Sequence, residues 1–191
     1  MERLMVVAPH PDDETLGAGG TLAKYNSLGY ETFVLTVSGH LPPLYSEKDY
    51  NKTIDEAKKA YKILGIKKSQ FLKIPATFIS NQPIHKLNSL IYNSVKSFNP
   101  TIVLMPYPDR HIDHKLIFDS VMVATRPVGS SKNIKTIAAY ETLSETHWNA
   151  GYIEPNFIPD VFIDISDEYK FKEKALKSYS SQIKNNKARN I

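Results

Sequence analysis

The sequence predicts an α/β fold: one domain built on a doubly wound, mostly parallel sheet with helices on both faces. Three observations carry this. Short apolar runs alternate with stretches of helical spacing along the whole chain, the pattern of strands joined by crossover helices. Right-handed crossovers then favour winding in both directions from the centre. A chain of 191 residues, 41% hydrophobic, can bury one sizeable core, and no internal repeat, low-complexity segment or linker divides it.

Each element follows from its residues. Leu4 to Ala8 is a continuous apolar run, as in a strand buried on both faces. Thr15 to Leu28 reads as a helix ended by Gly29, and Thr32 to Val37 as the second strand. Ile54 to Leu64 has helical spacing and stops at Gly65; Gln70 to Ile74 is a third strand. Ile84 to Phe98 is a helix closed by Asn99-Pro100, followed by a fourth buried strand, Thr101 to Met105. A helix is expected from near His111 to Ala124, strands at Ile137 to Tyr140 and Val161 to Ile165, and a last helix over Ser166 to Tyr179. Leu41 to Leu44 and Arg126 to Asn133 read as surface loops. Thr142 to Pro159, with Trp148, is long for a loop, and such lengths often carry function. Tyr92 and Phe98 are read as core.

Composition excludes several classes. With no cysteine there are no disulfides, thiolate metal sites or cysteine nucleophiles, so any metal chemistry must use histidine and carboxylates. The formal charge is +4, but much of the excess lies between Lys170 and Arg189 without the aromatic interleaving of a nucleic-acid surface. A solvated helix and basic tail fit better. No apolar run reaches the length of a signal-peptide core or membrane span, which predicts a soluble cytoplasmic protein without a membrane anchor.

Two motifs carry chemistry. The first, His10-Pro11-Asp12-Asp13-Glu14, falls where the first strand hands over to the first helix. Pro11 holds His10 extended, so His10 can project from the C-terminal edge of the sheet, where open α/β folds bind ligands. Acids in a first helical turn also cap and complement the dipole. Capping, however, explains neither His10 nor two adjacent aspartates. Gly17, Gly19 and Gly20 do not make a dinucleotide fingerprint, because Leu22 occupies the third glycine position. They read instead as permitting close packing of helix on sheet.

The second motif is His111-Ile112-Asp113-His114, after the fourth strand and the loop Pro106 to Arg110. Histidines at i and i+3 share a helix face, and Asp109 or Asp113 could orient an imidazole through its second nitrogen. A polar helix start capped by Asp109 would look similar. The conjunction decides: the first and fourth strands of a doubly wound sheet are commonly neighbours at the point where strand order reverses. Two motifs about a hundred residues apart would then meet in one crevice.

Together, Ala8-Pro9-His10-Pro11-Asp12-Asp13-Glu14 and His111-Ile112-Asp113-His114 resemble the PIG-L (LmbE-like) zinc de-N-acetylases. Similarity extends through Leu16 to Gly20, Phe157 to Ser166 and Tyr179-Ser180-Ser181-Gln182, covering essentially the whole chain. The resemblance implies a Rossmann-like fold and removal of an N-acetyl or similar acyl group from an N-acetylglucosamine-type sugar or its conjugate. It implies His10, Asp13 and His114 as zinc ligands, Asp12 as general base, His111 as acid or oxyanion stabiliser, and Asp113 in support of His111. Two His and one carboxylate also suit Fe2+. Two features depart from the family. Ser38-Gly39-His40-Leu41-Pro42-Pro43 replaces an acidic glycine-rich turn, which leaves the sugar open. Members also usually continue beyond the terminal Gln with another helix and strand, so Ile191 falls short of that pattern. The implied partner is a small amino-sugar conjugate, with room for a homo-oligomer.

Other residues have weaker readings. His40 lies past a strand end near the crevice, and His147-Trp148 could form a wall for a sugar. Arg126 could bind an oxyanion but reads better as solvated, and His85 as exposed. The rival functions are metal-dependent hydrolysis of another bond, such as a phosphoester, and a non-catalytic carbohydrate- or partner-binding module with a residual metal site. The first would want a second metal and more carboxylates. The second would not need Asp12 and His111.

Overall fold

The computed structural model describes residues 2–148, 150 and 156–183. Its strands are β1 (Arg3–Ala8), β2 (Glu31–Gly39), β3 (Lys68–Pro75), β4 (Ile102–Pro106) and β5 (Thr136–Tyr140). The helices are α1 (Asp13–Ser27), α2 (Glu47–Leu64), α3 (Ile84–Phe98), α4 (Ile112–Ala124) and α5 (Tyr169–Leu176). The sheet runs β3-β2-β1-β4-β5 with every neighbouring pair parallel. Strand order reverses between β1 and β4, which pair directly as Leu4↔Ile102, Met5↔Val103 and Val6↔Leu104. The doubly wound sheet expected from the sequence is the one observed, with the first and fourth strands adjacent.

Period-two alternation splits β1 between two cores. Met5 and Val7 join Phe33, Leu35 and Val103 under α3 and α4. Leu4 and Val6 join Val34 and Leu104 under α1, α2 and the end of the chain around Ala175 and Tyr179. Phe98 is buried in the first cluster and Tyr92 packs against it, as read. Because both faces are covered at the centre of the sheet, β1 and β4 need no polar alternation, and they read as continuous apolar runs.

Helix ends follow capping chemistry. α2 begins seven residues before the apolar spacing shows it, because Ser46 and Asp49 form a capping box. Its first turns are polar and mostly exposed, and only Tyr50 and Thr53 turn inward before Ile54. Gly65 (φ 74) and Asn99 (φ 53) end α2 and α3 in the left-handed conformation. Among the described residues no helix is long and apolar enough to cross a membrane.

One predicted strand is absent. Val161 to Ile165 makes no sheet pairing, and β5 is the edge. Phe162 is 81% exposed, while Ile165 packs on Gly20 of α1. The carbonyl of Asp164 goes to the Lys24 ammonium rather than to a ladder. Alternating apolar residues here reflect a segment laid across a helix, which periodicity cannot tell from a strand on a sheet. α5 is also shorter than expected, since Asp164 Oδ1 accepts from both the N–H and the hydroxyl of Ser166 and holds that stretch in a turn.

Candidate metal centre

The pairing of β1 with β4 sets the C-terminal ends of two strands side by side, and each is followed by a loop into a helix. His10 leaves β1 and its backbone N–H donates to Asp13 Oδ2 at 3.0 Å, on the first turn of α1. His111 caps α4: its Nδ1 accepts the Asp113 N–H at 3.1 Å. His114 follows one turn later. The rings converge, with centroids 5.7 Å apart for His10 and His114 and 4.7 Å for His10 and His111.

Among the described residues, two sets of side chains bring donor atoms within 4.8 Å of one another: His10, Asp13 and His114, and His10, His111 and Asp113. The first fits an ion better. Asp13 Oδ2 lies 3.1 Å from His10 Nδ1 and 3.4 Å from His114 Nε2. His114 is fully buried, yet its Nε2 makes no hydrogen bond to a described residue. A buried imidazole nitrogen with no hydrogen bond to a described residue, aimed at a carboxylate shared with a second imidazole, belongs to a donor set that could hold a cation. The opposite nitrogens are both engaged: His114 Nδ1 meets Asp109 Oδ2 at 2.9 Å, and His10 Nε2 meets Asp113 Oδ2 at 3.0 Å. Carboxylates of that kind fix the tautomer and aim of ligating histidines. In the second set, by contrast, His111 Nδ1 is spent on the helix cap, and Asp113 Oδ2 already takes His10 and the Thr77 N–H at 2.8 Å.

The electrostatics match. Burial opposes charge on His10, but hydrogen bonds to Asp113 and Asp13 win and raise its pKa to about 9. Burial likewise opposes charge on His114, yet the Asp13 carboxylate and the Asp109 hydrogen bond raise it to about 10. Asp13 is buried too, but the two imidazoles hold its carboxyl well below the usual range. The cluster attracts positive charge to the point these side chains share. Asp12 goes the other way: burial and the neighbouring Asp13 and Glu14 charges push it well above the usual carboxylate range. Its carboxylate makes no hydrogen bond to a described residue, and its backbone sits at φ 114, which L residues rarely adopt. Burial and the charges of His10 and His114 lower the pKa of His111.

All six residues singled out in the two motifs are therefore in one crevice, and one contact needs correcting. The Asp113 carboxylate lies on His10, not His111; what Asp113 gives His111 is its backbone N–H. Asp109 does not cap α4 by its side chain in place of His111, but orients His114 and accepts the His111 N–H at 2.9 Å. Sequence reasoning missed Thr77 and Thr146, whose partners Asp113 and Asp109 are distant in the chain, and the contact of Glu14 with Tyr179. His40 is half-buried at the crevice rim, its ring 4.3 Å from Tyr45 and within the field of His10. His147 pairs with Glu141 at 2.6 Å, and Arg110 lies over Trp148, which is 60% exposed. Arg126 is exposed after the last turn of α4, at the end away from His111, and His85 is exposed. Gly17 serves close packing on the sheet as read, since an added Cβ would stand 2.1 Å from the Tyr140 ring; Gly20 instead makes room for Ile165 at 2.3 Å, outside the sheet, and at Gly19 the nearest neighbours stand at 3.4 Å.

Known proteins resemble this chain in sequence and fold. The model of one family, PIG-L, GlcNAc-PI de-N-acetylase, matches residues 5–125. An uncharacterized deacetylase, YaiS, of Escherichia coli (strain K12) is 30% identical over 188 residues, covering 93% of this chain and 90% of its own. Diacetylchitobiose deacetylase of Thermococcus kodakarensis is 27% identical over 196 residues, covering 96% of this chain and 71% of its own. Among solved structures, the conserved protein TT1542 of Thermus thermophilus superposes with a TM-score of 0.74 at 25% identity, over 95% of this chain and 80% of that one. With the matched region spanning β1 through α4 and both histidine motifs, the chain belongs to the PIG-L family.

Proposed function

We propose that this protein is a zinc-dependent hydrolase that removes an N-acetyl or similar acyl group from an N-acetylglucosamine-type sugar or its conjugate. The observation that carries the reading is the Nε2 of buried His114, which makes no hydrogen bond to a described residue and converges with His10 Nδ1 on Asp13, beside Asp12. The substrate class is supported by relatives named for deacetylation of amino sugars, diacetylchitobiose among them.

His10, Asp13 and His114 would hold the ion, which supplies Lewis acidity toward the amide carbonyl and lowers the pKa of water to roughly 7 in the case of zinc. Two histidines and a carboxylate would take Fe2+ as well. A cation held there would favour the carboxylate form of Asp12, which can take a proton from the attacking water. Because His111 Nδ1 accepts the Asp113 N–H, the proton of the neutral ring belongs on Nε2. That favours His111 as a neutral donor to the developing oxyanion over a protonated acid. The C–N bond breaks, the proton held by Asp12 passes to the leaving nitrogen, and the products are the free amine and acetate.

Acetate release from N-acetylglucosamine, diacetylchitobiose and N-acetylglucosaminyl conjugates, with and without a chelator, tests the reading. Release that stops on chelation is expected. Asp12→Ala should keep the metal while turnover drops roughly 100-fold or more, as for a lost general base. Zinc-loaded protein that releases acetate from none of these compounds would overturn the proposal, as would full turnover in Asp12→Ala.

A further inference from the structure

The most deeply buried acid that this chemistry leaves unused is Glu14. Glu14 is fully buried, belongs to neither ion-holding cluster, and pairs with no cationic side chain among the described residues. Its Oε1 accepts from the Tyr179 hydroxyl at 2.5 Å and the Thr15 hydroxyl at 2.7 Å. Its Oε2 accepts the backbone N–H of Asp12 at 3.3 Å. On the other side, the Asp12 carbonyl accepts from the N–H groups of Thr15 and Leu16 at 2.9 and 2.8 Å. Asp12 is thus gripped by its helix at one end and by Glu14 at the other, at φ 114 and ψ −30. A backbone in such a sparsely populated region persists only where its surroundings over-determine it. Tyr179, 1% exposed, comes from the far end of the chain, three residues beyond α5. The next two residues fasten that segment to α2, since Ser180 and Ser181 both donate to the Glu56 carboxylate.

We propose that Tyr179 and Glu14 are a positioning pair: the Tyr179 hydroxyl locks the Glu14 carboxylate, and Glu14 holds the strained Asp12 peptide so that the Asp12 side chain keeps its place in the crevice. The inference rests on the deacetylase reading, in which Asp12 takes the proton from water. It makes docking of the C-terminal segment a condition of turnover, although that segment contributes no group to the reaction.

Tyr179→Phe removes the hydroxyl and keeps the ring. In this variant metal content should equal wild type, KM should stay within about twofold, and kcat should fall about tenfold, as for a misplaced reacting group. In the metal-free protein, hydrogen exchange at the Asp12 amide should accelerate about tenfold. Glu14→Gln can still accept the Asp12 N–H and donate to the Tyr179 oxygen, so it should keep most of the turnover that Glu14→Leu loses. A merely structural tyrosine would lower Tm and leave kcat and Asp12 exchange unchanged; that result overturns the pair, as does equal loss in Glu14→Gln and Glu14→Leu. An inactive wild-type enzyme would sink the reading of the site instead, and Asp12 exchange would still decide for or against the pair.

Discussion

At the scale of single residues, Asp109 shows how much one carboxylate can organise. It is fully buried. Oδ1 takes the His111 N–H, and Oδ2 takes His114 Nδ1 and the Thr146 hydroxyl, each at 2.9 Å. One group therefore sets the start of α4, the tautomer of His114 and the seat of the loop bearing Trp148. With Nδ1–H donating to Asp109, the neutral His114 ring presents the Nε2 lone pair toward Asp13. Asp109→Ala should weaken zinc binding by about 10- to 100-fold, the usual effect of losing such a partner. It should also cost about 1–3 kcal/mol for the buried donors it strands. Competition against a chromogenic chelator measures the first; affinity within threefold of wild type would remove Asp109 from the site. The sequence offered Asp109 and Asp113 as equal candidates for orienting an imidazole, and both do so. Which imidazole each serves depends on side-chain direction across two loops, and no spacing rule carries that.

At the scale of elements, α1 lies close against the sheet because Gly17 has no side chain. A Cβ at Gly17 would meet the Tyr140 ring at 2.1 Å and the backbone carbonyl of Glu141 at 2.6 Å. Tyr140 cannot swing aside freely, since its hydroxyl donates to the Val7 carbonyl at 2.9 Å. At Gly19 the nearest atoms are side-chain carbons of Lys172 and Thr15 at 3.4 Å. Alanine is favoured over glycine within a helix by about 1 kcal/mol. Gly19→Ala should therefore be neutral or mildly stabilising, whereas Gly17→Ala should lose about 1–3 kcal/mol to overpacking. Urea unfolding of the two variants decides, and equal stability would refute close approach as the reason for Gly17. Elements were legible where burial wrote the pattern: α3 has the bounds that its spacing and Asn99-Pro100 predict. They were misread where something else wrote it. The start of α2 is set by a cap rather than an apolar stripe, and Val161 to Ile165 takes its alternation from packing across α1.

At the scale of the molecule, the site exists because the topology folds distant stretches onto one sheet edge: β1 and β4 deliver His10 and His114, and the chain end returns to Glu14. The first convergence could be foreseen, since a doubly wound order makes the first and fourth strands neighbours. The second could not, because Tyr179 and Glu14 are 165 residues apart and no spacing or strand order pairs them. The electrostatics couple this geometry to overall stability. His10 and His114 have pKa values raised from 6.5 to about 9 and about 10. Raised values mean that the metal-free fold binds these protons more tightly than the unfolded chain does. The resulting stability is complete below about pH 6.5 and is lost as pH rises through the folded values. A divalent ion needs both ring nitrogens free, so its affinity runs the opposite way and strengthens with pH. Free ion at 100 times its Kd would add about 2.7 kcal/mol, and each kcal/mol moves Tm by roughly 2–4 °C at this chain length. The difference in Tm between zinc-loaded and chelated protein should therefore be small near pH 6 and widen toward pH 8.5. A difference that is absent near pH 8.5, or largest near pH 6, would mean that the two imidazoles do not meet at an ion.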